Sequence, residues 1–182
     1  MVKIYTKTGD AGETSLYGCR VPKQHSVLTV IGSLDELNAC LGVALAQPGP
    51  DEIKIELTAV QRDLFTLGSE FATPQGKQVT GLTLVSEAEV TRLEQQIDSH
   101  EATLKPLTNF ILPGGVPLGA ALHLARTICR RAERAAVELT EVQPVRPEVM
   151  KYINRLSDYL FVAARAANAQ AGQAEIIWQG RA

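Results

Sequence analysis

The chain carries a helical spacing of hydrophobic residues over most of its length after residue 26. From Asp51 to about Phe71, apolar residues recur in alternating steps of four and three, as expected on one face of an amphipathic helix. This stripe consists of Ile53, Leu57, Val60, Leu64 and Leu67. A shorter stripe consists of Val90, Leu93 and Ile97. A third stripe is narrow and rich in small side chains that suit close helix packing: Leu122, Ala125, Cys129, Ala132, Ala136 and Leu139.

Capping and breaking residues set the ends of these predicted helices. Ser33 followed by Glu36, and Ser86 followed by Glu89, have the spacing of a capping box, which satisfies the first free amides of a helix. Pro147 suits the first turn of a last helix because its fixed φ is already helical. The predicted helices cover about residues 33–46, 51–71, 86–103, the stretch from the Pro-Gly-Gly break at 113–115 to 139, and 147–171.

These elements predict an all-α protein, a five-helix bundle that forms a single domain over residues 1–182. Residues 1–26 have no helical period and are rich in glycine, so we expect an irregular lead segment ahead of the bundle at 27–182. A polar loop is expected at 73–81, and strand signals are confined to 3–5 and 175–178. With 45% hydrophobic side chains, the chain can bury one sizeable core.

Composition and charge narrow the function classes. The net charge of -2 disfavours a nucleic-acid binder, which would present a broad basic face. Three cysteines without a C-x-x-C pair, and three histidines without ligand spacing, argue against a disulfide framework and a protein-held metal site. The sequence contains no G-x-S-x-G motif, so it gives no support to a hydrolase that uses a covalent nucleophile. No apolar run approaches the roughly 20 residues of a membrane helix, so we expect no membrane association and a cytoplasmic location.

Arginines cluster on the predicted fourth helix. The cluster consists of Arg126, Arg130, Arg131, Glu133 and Arg134. At about 100° per residue, Arg126, Arg130 and Glu133 lie beside the small-residue stripe, whereas Arg131 points elsewhere. Charges that border a packing seam are half-buried and need a fixed anionic partner. The last helix has a similar stripe of Asn154, Asp158, Phe161 and Arg165. A solvated charged face with i,i+4 pairs is the alternative interpretation.

The lead segment concentrates residue types that bind phosphate between Thr6 and Ser15. Glycines let backbone amides approach a phosphate closely, hydroxyl groups add donors, and lysine supplies charge. The segment is not a Walker A loop, because G-x-x-x-x-G-K-[ST] is absent. An ordinary polar turn is the alternative.

Together these segments resemble the PduO-type ATP:cob(I)alamin adenosyltransferases. The matching stretches are IYTKTGDAGETSL at 4–16, RVPK ending at Lys23, GSLDELNA at 32–39, NFILPGG at 109–115, ARTICRRAER at 125–134 and NRLSDYLF at 154–161. They follow the family's order along almost the whole chain, and their combination is far more specific than any one of them.

The resemblance implies transfer of the 5′-deoxyadenosyl group of ATP to the cobalt of cob(I)alamin, by a homotrimer whose active site lies between neighbouring subunits. Mg²⁺ would be bound by the triphosphate of ATP, and the resemblance implies no metal site formed by protein residues. The residues implied to surround ATP are Thr6, Lys7, Thr8, Gly9, Thr14, Ser15 and Lys23 in the lead segment, with Arg130, Arg131, Glu133, Arg134 and Asn154 on the helices.

The resemblance assigns catalytic roles to Arg130, Phe110, Asp35 and Arg126. Arg130 would stabilise the departing triphosphate, and Asp35 would pair with Arg126 across the subunit boundary. Phe110 would close the space beneath the corrin ring and displace its lower ligand, although a ring that merely plugs the bundle end is the alternative. Since cob(I)alamin is itself a strong nucleophile, positioning and charge neutralisation suffice and no protein base is needed.

Two other functions remain open at this level. A regulatory bundle could bind ATP without transferring anything, and a purely structural assembly could use the arginines for interface salt bridges. If adenosyl transfer is correct, a cobalamin reductase and an adenosylcobalamin-dependent client enzyme are the partners to expect.

Overall fold

The computed structural model describes residues 3–77 and 81–180. Within these ranges the chain forms five helices: α1 (Ser26–Leu45), α2 (Asp51–Phe71), α3 (Glu87–Glu101), α4 (Pro117–Leu139) and α5 (Pro147–Gln170). The predicted all-α bundle is therefore confirmed, and α2, α3 and α5 match their predicted bounds to within two residues. Residues 78–80 of the predicted polar loop, and the chain ends at 1–2 and 181–182, lie outside the described residues.

The hydrophobic stripes form the core. Every member of the predicted α2 and α4 stripes is buried, and so are Val90 and Leu93 of α3, while Ile97 is half-buried against the same core. Helix α4 packs against α1 on one side and α5 on the other, α3 packs against α5, and α2 packs against α1. The small side chains of α4 thus lie where two neighbouring helices approach it.

Helix α1 begins two turns earlier than predicted. Its first residue is Ser26, and the Nδ1 atom of His25 accepts a hydrogen bond from the Val27 amide at 3.3 Å. Ser33, predicted to cap this helix, lies inside it and donates its hydroxyl to the Thr29 carbonyl oxygen at 2.8 Å. The prediction was wrong because Val27 and Val30 are buried and extend the apolar face upstream of the serine. The second capping box is confirmed, since the Ser86 amide donates to the Glu89 carboxylate at 2.7 Å.

The lead segment was predicted to be irregular throughout, but part of it forms a hairpin. Strands β1 (Glu13–Leu16) and β2 (Cys19–Pro22) pair antiparallel, with Ser15 opposite Arg20. The two-residue turn between them ends on Gly18, whose φ of 80° suits glycine. These strands have four residues each, too few to give a clear alternation. The strand signal at 3–5 was wrong, and the one at 175–178 yields a single bridge between Ile111 and Ile177.

Carboxylates spaced seven residues apart tie α2 to α5. Tyr159 donates its hydroxyl to Glu56 at 2.9 Å, and Tyr152 donates to Asp63 at 2.6 Å. One heptad further on, Glu70 accepts from the Arg146 guanidinium at 2.7 Å. Burial raises the pKa of both tyrosines well above the usual value, so their hydroxyls stay protonated and serve as donors. These bonds fix how α2 sits along α5.

Helix α1 is long and apolar enough to pass a membrane-span test by composition. It has 20 residues and a mean hydropathy of 1.4, and half of the tested window is buried inside the bundle. Its buried face packs against α2 and α4, which is the position of a core helix.

Candidate functional site

An open cleft of about 1060 Å³ lies where α4, α5, the loop before α4 and the C-terminal segment meet. We call it the aromatic cleft. Its walls come from the loop residues 107–111, from Arg126 and Arg130 of α4, from Ser157, Asp158 and Phe161 of α5, and from residues 177–180. Three residues that the sequence nominated for catalysis, Phe110, Arg126 and Arg130, therefore meet in one depression.

Phe110 is held by its backbone while its ring stays exposed. The Trp178 amide donates to the Phe110 carbonyl oxygen at 2.8 Å, and the Leu112 amide donates to that of Ile176 at 2.8 Å. The two aromatic rings meet edge to face with centroids 6.4 Å apart. The Phe110 side chain is 81% exposed, so it does not plug the bundle end. Sequence analysis read 175–178 only as a strand signal and missed that Trp178 shares the cleft.

Asn168 of α5 holds the loop that carries Phe110. Its side-chain oxygen accepts from the Val116 amide at 2.9 Å, and its amide nitrogen donates to the Gly114 carbonyl oxygen at 3.0 Å. A Cβ at Gly115 or Gly119 would collide with Asn168. The sequence analysis missed this residue, since its partners lie more than fifty positions away and only the glycine pair hints at a close approach.

Arg165 anchors the C-terminal segment and does not line the cleft. Its Nε donates to the Glu175 carboxylate at 2.6 Å, and its Nη2 donates to the Lys105 carbonyl oxygen at 2.8 Å. The side chain is only 4% exposed. The predicted stripe on α5 thus divides in two: Asp158 and Phe161 face the cleft, whereas Arg165 fastens the segment that forms its far wall.

Arg126 rests on the floor of the cleft. Its guanidinium carbon lies 5.8 Å from the centre of the Phe161 ring, a cation–π distance. Its Nε is buried and has no hydrogen-bond partner among the described residues. Arg130, one turn on, is exposed in the cleft wall. The missing partner of Arg126 is consistent with an acceptor from outside a single chain.

The other predicted site residues of α4 and α5 do not line the cleft. Asn154 donates its amide to the Glu133 carboxylate at 2.8 Å, and Arg134 donates to the Arg130 carbonyl oxygen at 3.1 Å. Arg131 leaves this group, as its helical angle predicts, and pairs with Glu36 of α1 at 2.5 Å.

The lead segment forms a loop of exposed hydroxyl groups, which Lys23 and Arg20 close. The Thr6 and Thr8 hydroxyl oxygens lie 2.9 Å apart around Lys7, whose φ is 61°. The Lys23 amide donates to the Gly12 carbonyl oxygen at 2.8 Å, and a Cβ on Gly9 would lie 3.4 Å from the Lys23 ammonium nitrogen. Lys23 thus reaches over Gly9.

Arg20 is a member of this loop that the sequence analysis missed. Its guanidinium donates to the Thr8 carbonyl oxygen at 2.7 Å and to the Ser15 hydroxyl at 3.2 Å. The Arg20 guanidinium also pairs with the Glu13 carboxylate at 3.3 Å, and the half-buried Thr14 lies between Glu13 and Ser15 along β1. The signal that could have found Arg20 is the hairpin register, which sets it opposite Ser15.

Asp35 lies in a second depression, of about 470 Å³, which we call the hairpin cleft. It is lined by residues 15–17 of the hairpin, by Ile31, Gly32, Leu34, Asp35 and Asn38 of α1, and by Leu64, Phe65, Gly68, Ser69 and Ala72 around α2. Among the described residues, none lines both clefts. The predicted partners Asp35 and Arg126 therefore line different clefts of one chain.

Comparisons with known proteins agree on one family. The family model described as cobalamin adenosyltransferase matches residues 4–167. The chain is 42% identical to a corrinoid adenosyltransferase of Bacillus subtilis, over 98% of this chain and 93% of that protein. It is 44% identical to the corrinoid adenosyltransferase PduO of Salmonella typhimurium, over 96% of this chain but 52% of that protein.

A solved structure has the same fold. It is an alanine variant of the PduO-type ATP:corrinoid adenosyltransferase from Lactobacillus reuteri, complexed with cobalamin and ATP. It superposes with a TM-score of 0.92 at 36% identity, covering 98% of this chain and all of that one.

Proposed function

Because this chain belongs to the cobalamin adenosyltransferase family, we propose that its aromatic cleft binds the corrinoid and that its lead segment binds ATP. The chain is an enzyme that transfers the adenosyl group of ATP to cobalamin. In this reaction the electron pair of Co(I) forms a bond to the ribose C5′, the C5′–O bond breaks, and triphosphate departs with the bonding electrons. The protein has to align these groups and stabilise the charge that develops on triphosphate.

The size and the lining of the aromatic cleft are the observation that supports its assignment as the corrinoid site. At about 1060 Å³ it is at the large end of small-molecule sites, and it combines apolar rings with cations. Phe110 presents an exposed ring over it, and Phe161 forms its floor. A ring in the position of Phe110 can occupy the space where a lower ligand of cobalt would lie. An ATP-responsive regulator has no use for such a surface.

The nucleotide assignment is supported by the exposed hydroxyls of the lead segment. These belong to Thr6, Thr8 and Ser15, and Lys23 brings positive charge to the same loop, while Arg20, paired with Glu13, ties Thr8 to Ser15. From α4, Arg130 lies in the wall of the aromatic cleft, where it can stabilise the leaving triphosphate. The assignments of Lys7, Gly9, Thr14, Arg131, Glu133, Arg134 and Asn154 to the nucleotide stay predictions from the resemblance.

The two halves of the site are completed by a second copy of the chain. The hairpin cleft holds Asp35, whereas the aromatic cleft holds Arg126 with an unpartnered buried Nε. A half-buried guanidinium without an acceptor is costly, and a carboxylate from a neighbouring subunit would remove this cost. We propose that Asp35 of one subunit pairs with Arg126 of the next around a homotrimer.

Mg²⁺ enters this proposal as a companion of ATP. In nucleotide sites Mg²⁺ keeps several waters and is held by substrate phosphates and one or two carboxylates. Glu133 would supply one carboxylate, and its neighbour Asn154 has a side-chain oxygen that accepts no bond from Glu133, so these residues fit such an ion. Bound there, Mg²⁺ would neutralise triphosphate charge. A reductase, a client enzyme and a cytoplasmic location remain predictions.

The assay is spectrophotometric. Purified protein is mixed with ATP, Mg²⁺ and chemically reduced cobalamin, and we expect the absorption spectrum of adenosylcobalamin to appear. Heat-denatured protein serves as the control for uncatalysed alkylation. Folded protein that binds ATP in calorimetry but yields no adenosylcobalamin would contradict the activity and favour the regulatory alternative.

A further inference from the structure

His123 is buried directly behind the floor of the aromatic cleft. It lies on α4, three residues before Arg126, and its side chain is 3% exposed. Its ring lies 5.9 Å from that of Phe161, measured between centroids, with the planes inclined at 59°. The Phe161 ring is thus in contact with His123 as well as with the Arg126 guanidinium.

Neither ring nitrogen of His123 has a hydrogen-bond partner among the described residues. Buried polar atoms are almost always paired, and an apolar ring at this position would avoid the cost of leaving two unpaired. Packing alone therefore does not account for an imidazole here. The sequence assigned no role to His123; the histidine spacing only argued against a protein-held metal site.

Burial, more than the surrounding charges, disfavours the cationic form of His123. Burial lowers the pKa of the imidazole, and Arg126 on the same helix lowers it further, while Glu175 of the C-terminal segment opposes them. Glu175 is itself paired with Arg165 of α5. The other charged residue of α5 that faces the cleft is Asp158. On α1, the other helix against α4, the charged residues are Asp35 and Glu36, and Glu36 is paired with Arg131.

We propose that His123 is a positioning residue of the corrinoid site, whose uncharged ring fixes Phe161 and Arg126 on the cleft floor and whose protonation releases them and weakens corrinoid binding. The inference rests on the proposed function, since it assumes that the aromatic cleft is where the corrinoid binds. His123 itself touches neither substrate. Its effect on the reaction passes through Phe161 and Arg126.

The test measures corrinoid affinity as a function of pH. Trp178 is the single tryptophan of the chain and lines the cleft, so quenching of its fluorescence by cob(II)alamin reports occupancy, with equilibrium dialysis as a check. For the unchanged protein we expect the corrinoid Kd to rise as pH falls, by up to about tenfold for each pH unit below the His123 pKa. In His123→Phe, which cannot take up a proton, the ratio of Kd at pH 5.5 to Kd at pH 8 should fall to near one.

A matched control removes a different buried histidine. His100→Gln, on α3, should keep the pH dependence of the unchanged protein, because His100 bonds to Glu56 and does not line the cleft. ATP affinity, measured by calorimetry at the same pH values, should not follow the corrinoid Kd in any variant. If His123→Phe does not fold, His123→Gln answers the same question with a polar side chain that does not titrate.

The outcomes separate the inference from the function on which it rests. If Phe161→Ala and Phe110→Ala leave corrinoid affinity untouched, the cleft assignment is wrong and the inference falls with it. If those variants weaken binding but His123→Phe keeps the steep pH dependence, the corrinoid site stands and the role of His123 is wrong. A parallel loss of ATP affinity in His123→Phe would also overturn it, because that loss indicates a general defect.

Discussion

His100 and Glu56 form a buried contact between α3 and α2, with the imidazole Nε2 2.8 Å from the carboxylate oxygen. The hydrogen bond to Glu56 raises the pKa of His100 in the folded protein, and burial only partly opposes it. A raised histidine pKa stabilises the fold at pH values below the unfolded pKa, about 6.5, and this stabilisation is lost as pH rises through the folded pKa.

Replacing His100 should therefore change the pH profile of stability. We expect the difference in free energy of unfolding between the unchanged protein and His100→Gln to be largest near pH 6 and to shrink steadily toward pH 9. Urea unfolding at a series of pH values measures it. A difference that grows with pH would mean that His100 is neutral in the folded state.

Arg130→Ala should remove most of the activity. A guanidinium that stabilises departing triphosphate acts as an oxyanion donor does, and losing one typically costs about 100-fold to 1000-fold in kcat. Because Arg130 is exposed, the melting temperature should barely change. Arg62→Ala, an exposed arginine on α2, is the control for charge removal. Turnover near normal in Arg130→Ala would exclude it from the site.

Phe110→Ala should affect turnover that starts from Co(II) differently from turnover on pre-reduced Co(I). Since the ring is 81% exposed, its loss should change the free energy of unfolding by no more than about 0.5 kcal/mol, far from the roughly 3 to 5 of a buried ring. If the ring sets cobalt coordination, turnover that starts from Co(II) should fall much further than turnover on pre-reduced Co(I). Leu112→Ala, in the same loop, is the matched control. Equal losses on both substrates would speak against a coordination role.

Asp35→Asn should weaken both assembly and catalysis. Leaving Arg126 half-buried without its acceptor would cost about 3 to 5 kcal/mol, whereas an exposed pair contributes under about 1. Sedimentation velocity and steady-state kinetics decide between these cases. Glu36→Gln is the matched control, since its carboxylate pairs with Arg131 within the chain. A trimer that is as stable as before, with normal kinetics, would show that Asp35 and Arg126 do not pair.

Gly119→Ala should destabilise the loop that carries Phe110. The added methyl collides with Asn168, and overpacking of this kind costs about 1 to 3 kcal/mol. Gly42→Ala on α1 is the control: its Cβ would meet only ordinary contact, so a gain of up to about 1 kcal/mol in helix propensity is expected. Thermal unfolding compares the two, and equal stabilities would mean that Asn168 moves aside freely.

Burial periodicity explains why most of the fold could be predicted from the sequence. The stripe from Ile53 to Leu67 was readable because a helix repeats its buried face every three or four residues. Ser33 misled because serine bonds as readily to a carbonyl within a helix as to the amides at its start. The hairpin was missed because its strands of four residues lack a buried face.

The candidate site was predicted in part from residue chemistry and in part from the family resemblance. Helical spacing indicated Arg126 and Arg130, the resemblance nominated Phe110, and the three residues share one cleft. Asn168 and His123 were missed because their significance depends on contacts with distant segments, which no local pattern records. Asp35 and Arg126 line different clefts of one chain, so their predicted pairing could not be checked within a single copy.

Beyond the Arg165 anchor, the loop that carries Phe110 is joined to the C-terminal segment by two backbone hydrogen bonds and one pair of exposed rings, between residues that are more than sixty positions apart along the chain. Such a junction has little buried apolar surface, so it opens at a much lower free energy than the helices behind it. In hydrogen–deuterium exchange, the amides of Leu112 and Trp178 should exchange well before those of α4. If the aromatic cleft is the corrinoid site, this junction is the part that would open to admit the ligand while the bundle stays folded.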